Sequence, residues 1–190
     1  VQAQLLNGEK TNTKGYYRIV SLNAKDAKAI NPEYKEGDQV ASGEFIAGQP
    51  LSSELFRNLP SGIYRIQLEA KDSKGRDIKN EQDFLLYGKE DKRPPVFTRE
   101  WLVEEKISCM VGETAEWVYG TSFEEAYVLY EVYNKNRLIL RQRIQLNNEN
   151  KTFKLPFKEE YGDGVMASFT FLKENELYVT QIPVTRKQPD

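Results

Sequence analysis

Histidine is missing from this chain of 190 residues, and cysteine occurs once. Without histidine, the Ser-His-Asp and Cys-His pairs that activate a nucleophile cannot form, and the commonest zinc ligand is absent. The single cysteine, Cys109, excludes an internal disulfide and says little about the redox compartment. An enzyme built from this chain would have to rely on carboxylates, lysine or tyrosine.

Long apolar runs and an excess of one charge are also missing. No apolar run approaches the length that a membrane span requires. The net charge is -2, from 27 basic and 29 acidic residues with interspersed signs, so no basic stripe for phosphate contacts is present. We therefore expect no nucleic-acid partner and no membrane span. The chain starts directly with a strand-like segment and no signal peptide, which favours an excised piece of a longer protein.

Period-two alternation is abundant, and it is clearest over residues 127–146. Apolar and aromatic side chains alternate with polar ones on both sides of a polar tetrapeptide, which predicts a β-hairpin with one buried face. A lone hairpin is marginal in water, so other strands must cover that face. We assign Val128, Tyr130, Val132, Leu138, Leu140, Ile144 and Leu146 to the buried face, and Glu131, Tyr133, Arg141, Arg143 and Gln145 to the exposed face.

Short strand-like segments with turn signals between them fill most of the remaining chain, which predicts an all-β protein. The charged segment 24–37 has no clean period and is predicted to be a loop, with one helical turn at 24–29. The predicted strands outside the hairpin are 1–6, 15–22, 40–46, 54–56, 64–71 and 76–87 in the first half, and 101–103, 106–110, 115–121, 152–157, 165–172 and 177–184 in the second.

A charged segment with two prolines, residues 88–95, divides the chain into two halves. Such a composition is typical of a linker, because proline cannot donate to a β-ladder. About seven short strands on each side are typical of immunoglobulin-like or fibronectin III-like domains. We therefore predict two tandem antiparallel β-sandwiches, residues 1–90 and 95–190.

The segment L-P-S-G-I-Y, ending at Tyr64, stands at the entrance of a predicted strand. This arrangement is typical of the tyrosine corner of Greek-key sandwiches, in which the phenol bonds backbone upstream. We expect the Tyr64 hydroxyl to bond the backbone near Leu59.

The order of several short motifs resembles that of macroglobulin-type domains in bacterial α2-macroglobulin-like proteins, especially those of Bacteroidetes. The resemblance runs from about residue 58 to residue 187. The motifs are V-G-E-T-A (111–115), W-V-Y-G-T-S (117–122), V-L-Y-E-V (128–132) and L-P-F-K-E-E-Y (155–161), preceded by S-G-I-Y (61–64) and A-K-D-S-K-G (70–75).

This resemblance implies an interior fragment of a large exported protein, periplasmic or anchored in the cell envelope at the outer membrane. Members of the family are protease inhibitors: cleavage of a bait segment triggers a collapse that encloses the attacking protease. Macroglobulin domains hold the bait and reactive parts in place. The implied function is a non-catalytic structural and interaction module, with neighbouring domains of the parent chain as partners and proteases reached through the full-length protein.

Cys109 invites comparison with the family's thioester, in which a Cys-Gly-Glu-Gln tetrapeptide joins the thiol to a glutamine side chain three residues on. Here the third residue on is Gly112, which has no carboxamide, so that bond cannot form. We expect Cys109 to be a strand residue that behaves as a small apolar side chain.

Two acidic turns, 72–77 and 159–164, could be mistaken for calcium loops. Calcium needs six or more oxygen ligands, and in an EF-hand these come from alternate positions. Lys74 and Arg76 interrupt the first segment and the second has the wrong spacing, so both are expected to be tight turns. We predict no catalytic, cofactor-binding or metal-binding residue.

Two other functions compete with the scaffold. A glycan-binding or adhesive pair of sandwiches on a bacterial surface would place aromatic side chains on an exposed flat patch. Aromatic residues on alternating strands are more often core and cross-strand pairs. An enzyme ranks third, because no two carboxylates are singled out for acid–base work. The aromatic candidates for a glycan platform are Trp117, Tyr119, Tyr127, Tyr130 and Tyr133.

Overall fold

A computed structural model describes residues 14–72 and 74–188. The chain divides into two compact units, residues 1–88 and 89–190. Within the described ranges the secondary structure is twelve β-strands and two 3-10 turns, without an α-helix. No described helix is long and apolar enough to cross a membrane. The predicted strand at residues 1–6 lies outside the described residues.

The first unit contains a four-stranded antiparallel sheet with the order β2-β1-β3-β4. One face of this sheet carries Tyr17, Ile19, Phe45 and Tyr64, which form a small buried cluster. The opposite face is polar apart from buried Val20, and there Arg65 pairs with Asp83 (2.7 Å). The strands are β1 (Lys14–Ala24), β2 (Tyr34–Ile46), β3 (Gly62–Lys71) and β4 (Asp77–Leu86).

Two predictions for the first unit are wrong. The predicted loop 24–37 is shorter, because β2 begins at Tyr34 and its polar first half pairs with β1. The alternation test missed these residues because most of them are exposed. The predicted strand 54–56 is a 3-10 turn, Ser53–Phe56. Ser52 starts this turn by accepting a hydrogen bond from the Glu54 N–H through its side chain, which is how serine begins a helical turn.

The second unit is a sandwich of two sheets, with strand orders β10-β7-β5 and β6-β12-β11-β8-β9. Neighbours are antiparallel except β6, which runs parallel to β12. The strands are β5 (Trp101–Lys106), β6 (Ser108–Cys109), β7 (Thr114–Thr121), β8 (Ala126–Asn134), β9 (Arg137–Leu146), β10 (Glu149–Pro156), β11 (Gly164–Lys173) and β12 (Glu176–Arg186), with a 3-10 turn at Glu159–Tyr161.

The predicted fold class, all-β with antiparallel immunoglobulin-like sandwiches, is confirmed. In immunoglobulin lettering, the larger sheet of the second unit is the G-F-C-C′ sheet and the smaller one carries strands A, B and E. The sheet of the first unit has the same C′-C-F-G order, with β1 and β3 as its central strands. Both units therefore contain four antiparallel strands in the same C′-C-F-G order.

Aromatic side chains fill the core of the second unit. The ring of Phe169 stacks on Tyr119 with centroids 4.0 Å apart and on Tyr130 with centroids 4.8 Å apart. Trp117 is fully buried beside them. Offset or edge contacts between such rings add to the area that they bury, so this cluster holds the two sheets together.

The predicted hairpin is confirmed as β8 and β9, with Lys135 in the left-handed region at the turn (φ 53°). One face assignment is wrong. A register irregularity beside Val132 pairs Leu138 with Tyr133, which lies on the exposed face. Leu138 is 39% exposed, and Ile139 packs against the core instead. A bulge of this kind reverses the alternation for the residues beyond it.

The predicted linker lies across the division between the units, and its polar groups bond residues of the second unit. The Lys89 ammonium lies 2.8 Å from the Glu116 carboxylate. Asn150 donates its backbone N–H to the Lys92 carbonyl (2.8 Å) and its side-chain amide to the Asp91 carbonyl (3.1 Å). The segment after Gly88 is therefore fixed to the edge strand β10.

Candidate functional site

The outward face of the five-stranded sheet carries an unusual share of exposed apolar surface. Side chains alternate across each strand, so the odd-numbered residues of β8 and β12 and the even-numbered residues of β11 share this face. Tyr127 is 69% exposed, Leu172 67%, Leu177 65% and Val179 51%. We call these four side chains, together with half-buried Leu129, the outer patch.

Strand register places the residues of the outer patch on three neighbouring strands. Leu129 on β8 lies opposite Thr170 on β11, and Thr170 lies opposite Val179 on β12. Leu172 lies directly opposite Leu177. Cross-strand neighbours are close enough for side-chain contact, so the patch extends over three strands.

Arginines border the outer patch on the β9 side. Arg141 bonds the Glu131 carboxylate (2.6 Å), and the Glu131 side chain is only 12% exposed. Arg143 lies opposite Leu129 and has no ion-pair partner among the described residues. A groove of about 600 Å³ runs between these arginines, Tyr127 and Leu129. Apolar surface and the Arg143 guanidinium therefore lie side by side.

The predicted aromatic platform is not assembled on the surface. Trp117, Tyr119 and Tyr130 are all buried in the core, and burial raises the pKa of the Tyr130 phenol to about 12. Tyr127 is exposed and Tyr133 is half-buried, both on the outward face. The five aromatic residues named as candidates therefore do not form the flat exposed patch that the glycan-binding hypothesis requires.

A part-buried hydrogen-bond network joins the two sheets near the start of β5. The phenol of Tyr119 donates to Glu100 Oε1 (2.8 Å), and the Thr180 hydroxyl donates to the same oxygen (2.6 Å). Burial, and then the neighbouring Glu100 charge, raise the pKa of the Tyr119 phenol well above its usual range. A neutral phenol is a good donor to a carboxylate, so the arrangement has a structural role.

Cys109 lies on β6 and is fully buried. Burial raises the pKa of its thiol, which keeps it in the unreactive protonated form. The backbone N–H of Gly112 donates to the Phe157 carbonyl (2.9 Å), so the residue three positions on belongs to a turn. The expectation of a small apolar strand residue is confirmed for Cys109.

Carboxylates in both acidic turns pair with arginines. Asp72 accepts hydrogen bonds from the backbone N–H groups of Lys74 and Arg76, and pairs with the Arg76 guanidinium (2.7 Å). In the second turn, Glu159 pairs with Arg186 (3.0 Å). Within the described ranges, no group of three His, Cys, Asp or Glu side chains is placed to hold a metal ion.

Sequence reasoning missed the outer patch. The segments around Leu172 and Leu177 are apolar on both faces, so alternation alone does not tell which face is covered. The available signal was the repeated leucine on either side of the turn at 173–176, which places two large side chains opposite each other.

Comparisons with known proteins add little to this geometry. No family model matches the chain, and no curated protein matches it. Among solved structures, the crystal structure of murine CEACAM1b is similar over 92% of this chain and 87% of that chain, with 13% sequence identity and a TM-score of 0.34. A TM-score this low carries no argument about function.

Proposed function

We propose that this protein is a non-catalytic interaction module, and that its outer patch docks a neighbouring folded domain of a longer parent chain. The observation that carries the proposal is the set of exposed apolar side chains, Tyr127, Leu172, Leu177 and Val179, on one face of the five-stranded sheet. Large exposed apolar side chains that cluster on one face, with charged residues at the border, are typical of protein-interaction sites.

The size of the outer patch favours a partner on the same chain. A stable complex between separate proteins buries about 1,600 Å² in total, whereas contacts between domains of one chain are smaller and more polar. A tethered domain is present at an effective concentration in the millimolar range. Four exposed apolar side chains and an arginine border are therefore sufficient for intramolecular docking.

The motif resemblance supports an α2-macroglobulin-like parent as the source of that neighbouring domain. The parent would be an exported envelope protein, in the periplasm or anchored at the outer membrane, and protease trapping would belong to it as a whole. In this proposal the two units are scaffold. A bait segment and a large collapse are required for trapping, and neither belongs to the role proposed for this chain.

Thiol labelling tests the docking proposal, because Cys109 is fully buried. In a Cys109→Ala background, Val179→Cys places a thiol in the outer patch and Thr185→Cys places one on the same strand outside it. In the isolated chain, both thiols should react readily with a maleimide. In the full-length parent, the thiol at position 179 should react at least about tenfold more slowly, because a patch that is docked for about 90% of the time is accessible for only the remaining tenth. The control thiol at position 185 should react at the same rate in both proteins. Equal labelling of position 179 in both proteins would refute docking.

A protease assay tests the scaffold role. The isolated chain should leave trypsin-like and elastase-like enzymes fully active toward small and protein substrates. Nicking should concentrate in the exposed loop between β1 and β2, after Lys28, because exposed polar loops are preferred cleavage sites. Stoichiometric loss of protease activity would contradict the proposal.

A further inference from the structure

Edge strands expose unpaired backbone groups, and most edges in this protein are protected. Asn150 joins the edge strand β10 to the segment at 91–92. Strand β4 carries charged side chains of both signs, β2 has register shifts, and β6 has only two residues. These are the features by which natural sheets block further pairing.

Strand β9 has fewer of these features: its bulge lies near the hairpin turn, and from Leu140 to Leu146 its pairing with β8 is regular. Its sequence, R-L-I-L-R-Q-R-I-Q-L, contains no proline, glycine, lysine or acidic residue. It forms the edge of the five-stranded sheet beside β8. In the described part of the chain, hydrogen bonds to the backbone of residues 137–144 come only from β8. A ten-residue strand is thus open along most of one side.

Two arginines lie beside this open edge. Arg141 and Arg143 lie two positions apart on the outward face, which separates their backbone positions by about 7 Å. Arg141 is held by Glu131, and Arg143 is unpaired among the described residues. Between them and Tyr127 lies the groove of about 600 Å³. On the opposite face of β9, Leu140 and Ile144 pack against the core and are only partly buried.

From this geometry we propose that β9 is a peptide-binding edge, which captures an extended acidic segment of another polypeptide as an additional strand. Backbone hydrogen bonds to the open side would give affinity, and alternate side-chain positions would give specificity. Carboxylates two residues apart match the spacing of Arg141 and Arg143. Apolar residues of the bound segment, between its carboxylates, would extend the inner face of the sheet beyond Leu140 and Ile144. This site adjoins the outer patch and shares Tyr127 and Leu129 with it, but it uses the open backbone of β9, whereas the domain docking proposed above uses mainly the β11 and β12 side of the face.

Fluorescence anisotropy with short labelled peptides tests the proposal on the chain as it is. The probe is the peptide T-V-E-V-E-V-T, with T-V-K-V-K-V-T as its charge-reversed counterpart. The acidic peptide should bind with a Kd of about 10–100 µM, as expected for one added strand, and more weakly at high salt because the arginines are exposed. The basic peptide should not bind.

Two changes separate the side-chain and backbone contributions. Arg143→Glu should weaken binding of the acidic peptide by at least about tenfold, or about 1.4 kcal/mol. Lys135→Glu, which makes the same charge change at the hairpin turn, should change it by less than about twofold. Methylating alternate backbone nitrogens of the peptide should abolish binding. An unchanged urea midpoint for Arg143→Glu confirms that the variant is folded.

Several results would overturn the proposal. These are no detectable binding of the acidic peptide, equal binding of both peptides, and binding that is insensitive to Arg143→Glu or to backbone methylation. The thiol-labelling result at position 179 does not depend on any of them, so the two proposals can fail separately.

Discussion

The hydroxyl of Tyr64 donates a hydrogen bond of 2.6 Å to the backbone carbonyl of Pro60, four residues upstream. The Tyr64 ring is 3% exposed and stacks on Phe84 with centroids 5.7 Å apart. The tyrosine corner predicted from the sequence is therefore present, one residue from the expected partner Leu59. It fixes the segment before β3 to the edge of the first unit's core.

Removing the Tyr64 hydroxyl should destabilise the first unit. Tyr64→Phe keeps the ring but leaves the Pro60 carbonyl without this donor, so the free energy of unfolding should fall by about 1 kcal/mol. Urea unfolding measures the change. Tyr16→Phe is the matched control, because Tyr16 is 66% exposed and should be neutral. An unchanged midpoint for Tyr64→Phe would contradict a stabilising corner.

Glu100 should contribute to the stability of the second unit, although it lies outside the strands, just before β5. Glu100→Ala leaves the Tyr119 phenol buried without its acceptor, which should cost about 1–3 kcal/mol. Glu100→Gln retains a side-chain oxygen for Tyr119 and Thr180 and should cost less than the alanine variant. Urea midpoints followed by tryptophan fluorescence measure both. Equal costs for the two variants would show that the shared oxygen contributes little.

Acid should weaken the attachment of the linker to the second unit. The Glu116 carboxylate has a lowered pKa, chiefly because the Lys89 ammonium bonds it. The pKa of a glutamate in the unfolded state is about 4.3, so a lower folded-state pKa of Glu116 stabilises the fold at pH values above this. The stabilisation is lost as the pH falls through the folded-state pKa. Glu116→Gln should therefore flatten the pH dependence of the unfolding free energy below about pH 5.

The control for this titration is Glu124→Gln, because Glu124 is exposed and its side chain has no ion pair in the described part of the chain. Its pH profile should follow that of the unmodified chain. If the Glu116 and Glu124 variants give the same profile, the Lys89 contact does not contribute.

A side chain at position 120 should disrupt the edge of the smaller sheet. A Cβ at Gly120 would lie 2.1 Å from Asn150 Oδ1 and 2.7 Å from the Glu149 carbonyl oxygen, and backbone cannot move aside without cost. Gly120→Ala should therefore destabilise the second unit by about 1–3 kcal/mol. Gly62→Ala, where the nearest atom would lie 4.0 Å away, should be tolerated. Thermal unfolding of both variants checks this, and equal stability would refute the close approach.

Period-two patterning predicted the strands with one buried face well. The hairpin of β8 and β9 was clear from sequence because apolar and polar side chains alternate over nearly its full length. Leu138 was placed on the wrong face because a bulge depends on how β9 pairs with β8, which the residue order does not encode locally. The polar half of β2 was missed for a related reason: its strand character comes from pairing with β1, since it buries little side-chain surface.

The candidate site was harder to predict than the fold. Tyr127 and Tyr130 both lie on β8, yet Tyr127 is 69% exposed and Tyr130 is 3% exposed, because the alternation places them on opposite faces. The outer patch depends instead on which residues of β8, β11 and β12 lie opposite each other. That register is a property of the assembled sheet, so before the strands are paired only the leucines on either side of the turn at 173–176 indicate the patch.

The parallel pairing of β6 with β12 determines how the second unit would respond to pulling. The N–H of Thr185 donates to the Ile107 carbonyl and that of Lys187 to the Cys109 carbonyl, both at 2.8 Å. These strands lie near opposite ends of the unit's sequence and run in the same direction. Tension applied through the chain at both ends would therefore load these bonds in shear, so that they must break together. Force applied in this way would pass through this pair before the sheets of the second unit come apart.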